Sequence, residues 1–147
     1  LQAALIATTL PGTSAKALAK LEQVTNGRIT ALGGTLSLLP PCPHDSGALA
    51  ARLATSSADL LLVAGASATV DRGDVIPQAI IAAGGTVDRL GMPVDPGNLL
   101  VLGTLAGRPV IGLPGCARSP KRNGLDLVLE RLAAGLPVTS ATIAAMG

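Results

Sequence analysis

The chain has 147 residues, 48% of them hydrophobic, with no Phe, Tyr or Trp, and eleven Lys and Arg against nine Asp and Glu. That length is one domain with room for a real core. The missing aromatics exclude a base-stacking platform and the Trp and Tyr hot spots of peptide grooves, and a net charge of +2 is too balanced for a general polyanion binder.

Nucleic acid is therefore not an expected partner, and anion chemistry has to be local. Mean hydropathy is +0.54, yet Gly, Pro, Asp or Arg breaks every apolar run before the roughly 20 residues a membrane span needs. No membrane partner is expected either. The opening LQAALIATTLPG has no basic n-region and reads as a strand, not a signal peptide. Two cysteines outside any Cys-x-x-Cys pair make no disulfide framework. Together these predict a reduced, cytoplasmic protein. The lack of an initiator Met predicts that residues 1–147 are a single domain excised from a longer chain.

In chain order, residues 3–9 (AALIATT) read as a strand, after which Gly12, Thr13 and Ser14 offer an N-cap to a helix through about Leu32. Leu18, Leu21, Ile29 and Leu32 form its apolar stripe, which Gly27 weakens. Residues 33–39 (GGTLSLL) end that helix and start a strand, and 45–55 form a short capped helix. The unbroken run DLLLVAG at 59–65 suits a strand buried on both faces of a parallel sheet. A helix over 74–85 and an extended segment over 86–94 follow. ALGGTLSLL and AAGGTVDRL share one form, a helix end, two glycines and a strand start. Residues 98–115 read as a hairpin turned at Ala106, Gly107 and Arg108, and 124–139 as the last helix, ended by Gly135. The alternation predicts an α/β fold: a three-layer α/β/α sandwich, mostly parallel, with a β-hairpin near one edge.

Ligands of such sheets sit at the carboxyl ends of the strands, where three unusual segments fall: 40–47, 65–74 and 113–121. In the second, the backbone N–H groups of Gly65, Ala66, Ser67, Ala68 and Thr69, with the helix dipole behind them, suit an anion. It is neither a Walker loop nor Gly-x-Gly-x-x-Gly. The plainer alternative is a tight turn of small residues with Asp74 as a cap. Asp45 has the same alternative; functionally, Asp45 and Asp74 are carboxylates that would hold Mg²⁺ between phosphates. His44 alone makes no metal cluster and equally suits loop packing. In the third segment, the amides around Pro114, Gly115 and Cys116, with Arg118 and Ser119, suit a phosphate or carboxylate. The alternative is a solvated cationic loop that also holds Lys121 and Arg122. Cys42 and Cys116 are expected to lie near one another, each by default a buried thiol.

These residues together resemble the molybdopterin-binding fold shared by molybdopterin adenylyltransferases, molybdenum insertases and the competence/damage-inducible amidase family. The motifs are LLLVAGASATVDRGDVIP, MPVDPGN and VIGLPGCARSP. GDVIP is similar to the Asp-Val-x-Pro of the adenylyltransferases, which implies a metal-associated catalytic role for Asp74, with Asp45 as the second acidic residue. The resemblance is closest to a bacterial branch in which this module precedes a molybdenum-cofactor cytidylyltransferase-like module, on TTLPGT, CPHD, GASATVDRGDVIP, GMPVDPGNLL and GLPGCARSPK. It implies a domain that binds molybdopterin during molybdenum-cofactor biosynthesis and presents it for nucleotidyl transfer by a partner or fused module. It also implies a homo-oligomer, with Mg as a candidate cofactor. The alternatives are an adenylyltransferase using Mg-ATP and a catalytically silent sensing or oligomerisation domain. Two departures point away from unaltered transfer or metal insertion. The family's Gly-Gly-x-Gly turn is Gly65-Ala66-Ser67-Ala68 here, and the Pro-Gly-Lys of the insertases is Pro96-Gly97-Asn98.

Overall fold

A computed structural model of the chain describes residues 1–66, 71–94 and 97–146, Cys116 by its backbone alone. The strands are β1 (Gln2–Thr9), β2 (Thr35–Leu38), β3 (Cys42–Pro43), β4 (Leu60–Ala64), β5 (Thr86–Leu90), β6 (Val101–Leu105) and β7 (Arg108–Gly112). The helices are α1 (Ala15–Ala31), α2 (Ser46–Thr55), α3 (Val75–Ala82), α4 (Gly124–Ala133) and α5 (Ser140–Ala144), with a 3-10 turn at Gly115–Arg118.

Strand order is β2-β1-β4-β7-β6-β5, with β3 beside the end of β1. The pairings of β1 with β2, β3 and β4, and of β4 with β7, are parallel. Only β6 runs the other way, antiparallel to β5 and β7. Every residue of β4 is buried, the cost of a central strand covered on both faces being offset by an all-apolar sequence. Alternation along the strands divides the core. Leu5 and Leu62 face Leu21 and Ile29 of α1 and Leu125 and Val128 of α4. Ile6 and Val63 face Leu49 and Leu53 of α2 and Ile76 and Ile80 of α3. This is the predicted three-layer sandwich.

The shared Gly-Gly form has a shared cause. Gly33 and Gly84 take φ of 79° and 94° and close α1 and α3. A Cβ on the next glycine would stand 2.6 Å from the Leu1 carbonyl oxygen at Gly34 and 2.4 Å from that of Thr104 at Gly85.

Three expectations are corrected. The last helix does not run from 124 to 139: α4 stops at Ala133, Gly135 turns at φ 74°, and a separate α5 starts behind the Thr139 cap. Pro137 and Gly135 break an apolar pattern that otherwise continues. The extended segment 86–94 ends at Leu90, because Gly91 has φ 82°. The hairpin is tighter than 98–115, its two-residue turn being Ala106 and Gly107, while Arg108 already belongs to β7.

From β1 the chain passes to β2 on one side and returns to β4 on the other, so the switch in strand order lies between the carboxyl ends of β1 and β4. Because β6 is reversed, the 91–100 connection comes to the same edge as the β4 turn and the segment after β7.

Candidate functional site

At that switch point the chain forms two adjoining hollows, of about 330 and about 150 Å³. Leu21, Ala64, Ala66 and Arg118 line both. The larger adds Thr8, Leu10, Thr13 and Leu18, and the smaller adds Gly65, Leu113, Pro114 and Gly115. Five residues expected from sequence therefore meet in one cleft: Gly65, Ala66, Pro114, Gly115 and Arg118. The walls are aliphatic, with the exposed guanidinium of Arg118 at the rim. Its Nη2 donates to the Gly65 carbonyl at 3.2 Å, which leaves further N–H groups of the fork for an anion.

One of the expected backbone amides is engaged within the protein. Ala66 N–H donates to Thr8 Oγ1 at 2.8 Å. Leu113 N–H donates to the Val63 carbonyl at 2.8 Å and Ala117 N–H to that of Pro114 at 2.9 Å. These three amides are engaged inside the protein.

The loop after β7 is held from beneath by Arg28, which is 9% exposed. Its Nη1 donates to the Ala117 carbonyl at 2.8 Å, and its Nη2 donates to the carbonyls of Ser119 at 2.7 Å and Lys121 at 2.9 Å. Its Nε donates to Asp126 Oδ1 at 3.0 Å, while Asp126 Oδ2 accepts the Asn123 amide in the capping box of α4. Ser119 Oγ accepts from the Lys121 amide at 3.3 Å, and Ser119 is absent from the cleft lining. Arg122 pairs with Glu130 through both terminal nitrogens, and that contact holds the Glu130 carboxyl below its ordinary range.

Asp45 and Asp74 stand at the N-termini of α2 and α3, which pack side by side and both begin at the carboxyl edge. Asp45 Oδ2 accepts from Ala48 N–H at 2.9 Å, as a cap. Asp74 Oδ2 accepts from Asp71 N–H at 3.1 Å, closing the turn before α3. Neither lines the cleft. Among the described residues no group of three or more His, Cys, Asp or Glu is placed to hold a metal ion.

Gly97 and Asn98 sit at the same sheet edge, outside the cleft lining. Gly97 has φ 117°, and a Cβ there would stand 2.6 Å from the Gly124 amide nitrogen, so only glycine lets this loop rest on the start of α4. Asn98 is exposed, and its carbonyl accepts from Met92 N–H at 2.9 Å. Ser67, Ala68, Thr69 and Pro96 lie outside the described residues, and Cys116 supplies backbone to the 3-10 turn. Cys42 is the buried thiol expected; burial pushes its pKa up, away from nucleophilic use.

Thr8, Leu10 and Thr13, within the TTLPGT motif, were not assigned to the site, nor was Arg28, which braces the loop after β7. Two of them had a readable signal: Arg28 is a charge on the buried stripe of α1, beside Leu21, Thr25 and Ile29, and Thr8 is a polar group ending the apolar run of β1.

No family model matches the chain, and no curated protein matches it significantly. Fold and cleft define a doubly wound α/β protein with a crevice at its switch point. Among solved structures it is similar to the molybdopterin biosynthesis protein MoeA of Pyrococcus horikosii, with 24% identity over 92% of this chain and a TM-score of 0.64. It is also similar to MogA, with 18% identity over 92% of this chain and a TM-score of 0.57. It spans 35% of the length of that MoeA chain and 97% of the MogA chain. The chain thus has the MoeA/MogA-like fold, and the resemblance carried by its motifs holds at the level of fold. No helix among the described residues is long and apolar enough to cross a membrane.

Proposed function

We propose that the chain is a molybdopterin-binding module of molybdenum-cofactor biosynthesis, which presents the pterin for nucleotidyl transfer by a fused or partner module. The observation that carries this reading is an aliphatic cleft with Arg118 at its rim, at the switch point of a MoeA/MogA-like fold. The ring system rests against Leu10, Leu18, Leu21 and Leu113, which exclude water from its faces. Arg118 receives the anionic end, its fork oriented by the Gly65 carbonyl. Asp45 and Asp74 are committed to a helix cap and a turn, which favours binding over adenylyl transfer within this chain.

Anaerobic calorimetric titration of molybdopterin, alone and with Mg-ATP or Mg-CTP, tests the proposal. Micromolar binding is expected, weakened about tenfold or more in Arg118→Ala, since a hydrogen bond to a charged group contributes about 1.5–3 kcal/mol. No nucleotide is consumed. Turnover that vanishes in Asp74→Ala would make the chain a transferase instead, and absence of pterin binding under every condition would overturn the reading.

A further inference from the structure

The cleft turn at Gly65 and Ala66 is gripped from two sides by groups far apart in sequence. On the carbonyl side stands Arg118, at 3.2 Å from the Gly65 oxygen. On the amide side, Ala66 N–H donates to Thr8 Oγ1 at 2.8 Å, and the same oxygen lies 2.8 Å from His44 Nδ1. His44 is itself anchored, its backbone N–H donating to the Thr9 carbonyl at 2.8 Å where β3 runs beside β1.

Hydrogen-bond accounting assigns a direction to this chain. Thr8 is 2% exposed, so its hydroxyl proton needs an acceptor inside the protein. Ala66 is a donor and cannot serve. Among the described residues the ring nitrogen of His44 is the acceptor within reach of Thr8 Oγ1. Thr8 therefore donates to Nδ1, which puts the neutral imidazole in its Nε2–H form and leaves the Thr8 lone pairs for Ala66.

We propose that Thr8 and His44 are positioning residues for the ligand cleft: the His44–Thr8–Ala66 hydrogen-bond chain sets the Gly65–Ala66 turn against Arg118 and withholds the Ala66 amide from the ligand. Nothing in this assignment makes either residue touch the ligand. Its consequence for affinity rests on the pterin reading, whereas the chain of hydrogen bonds does not. It also explains why alanine is tolerated where the resembling family carries glycine: an amide turned inward to Thr8 has no phosphate to approach, so a Cβ there obstructs nothing.

His44 is the chain's one histidine, so ¹⁵N spectra of histidine-labelled protein report on it alone. At a pH where the ring is neutral, the expected pattern is an unprotonated Nδ1 and a protonated Nε2. Thr8→Val, nearly isosteric, should erase that preference and lower exchange protection of the Ala66 amide about tenfold or more, while Thr8→Ser restores both. Molybdopterin affinity should fall with Thr8→Val and with His44→Ala, by up to about tenfold, and recover with Thr8→Ser. A neutral His44 protonated at Nδ1 would overturn the proposal, as would a folded Thr8→Val whose Ala66 protection is unchanged. If wild type shows the expected tautomer and protection but binds no pterin, the pterin reading fails and the hydrogen-bond chain stands.

Discussion

Arg28 shows how one side chain organises a whole loop. It comes from α1, yet its partners are carbonyls at positions 117, 119 and 121 and the carboxylate of Asp126. A guanidinium satisfies this set because its donors diverge in a plane; a Lys ammonium on a flexible stem does not reproduce the fork. Removing Arg28 would leave three carbonyls and Asp126 Oδ1 without their donor, while Asp126 Oδ2 keeps the Asn123 amide. Arg28→Met is expected to cost about 3–5 kcal/mol, in the range for breaking a buried ion pair. Urea unfolding measures this, and Arg28→Lys should recover less than half. A loss below about 1 kcal/mol would show that the loop holds itself. The exposed Arg122–Glu130 pair is the contrast: solvent screens it, so its removal should move the melting temperature little.

At the scale of elements, the hairpin of β6 and β7 carries an avoidable penalty. Its two-residue turn needs positive φ at both positions, and Ala106 adopts 51° beside Gly107 at 76°. A left-handed alanine costs roughly 1–2 kcal/mol, whereas Asn-Gly is the preferred pair for such turns. Ala106 is exposed, so the exchange disturbs no packing. Ala106→Asn is expected to stabilise the domain by about 0.5–1 kcal/mol, a rise in melting temperature of about 1–4 °C for a domain of this size. An unchanged or lower melting temperature would mean that the turn relaxes to another geometry in solution.

For the molecule as a whole, the cleft is a junction. Its walls come from the end of β1, from α1, from the turn after β4 and from the loop after β7. A ligand there bridges segments that separate on unfolding, and so stabilises the entire fold by mass action. At 100-fold excess over Kd, molybdopterin is expected to add about 2.7 kcal/mol. Arg118→Ala, binding about tenfold more weakly, should remove about half of that gain or more, while leaving the unliganded protein within about 0.5 kcal/mol of wild type, because the side chain is exposed. Thermal melts with and without pterin separate these effects. Equal shifts in wild type and Arg118→Ala would take Arg118 out of the site.

Much of this architecture is local enough to be read from the chain. Apolar runs such as Leu60–Ala64, the glycine pairs at 33–34 and 84–85 and the caps at Ser14 and Asp45 answer to side-chain period, backbone freedom or a nearby amide. Sequence alone does not separate a capping Asp from a ligand-binding Asp, because both tasks call for a carboxylate at a helix start; the structure adds a bond from Ala48 N–H to Asp45 and from Asp71 N–H to Asp74. It also leaves hidden the start of α5 behind Thr139, which the reading of one helix over 124–139 merges with α4 although Gly135 is its named terminator. What decides the site are contacts across long stretches of chain: Thr8 to His44, Ala66 to Thr8, Arg118 to Gly65 and Arg28 to the loop after β7. Composition, length and pattern thus determined an α/β sandwich with its polar segments at the carboxyl edge. Only the strand order β2-β1-β4-β7-β6-β5 decided which of those segments meet, because parallel pairing joins residues whose local sequences carry no record of one another.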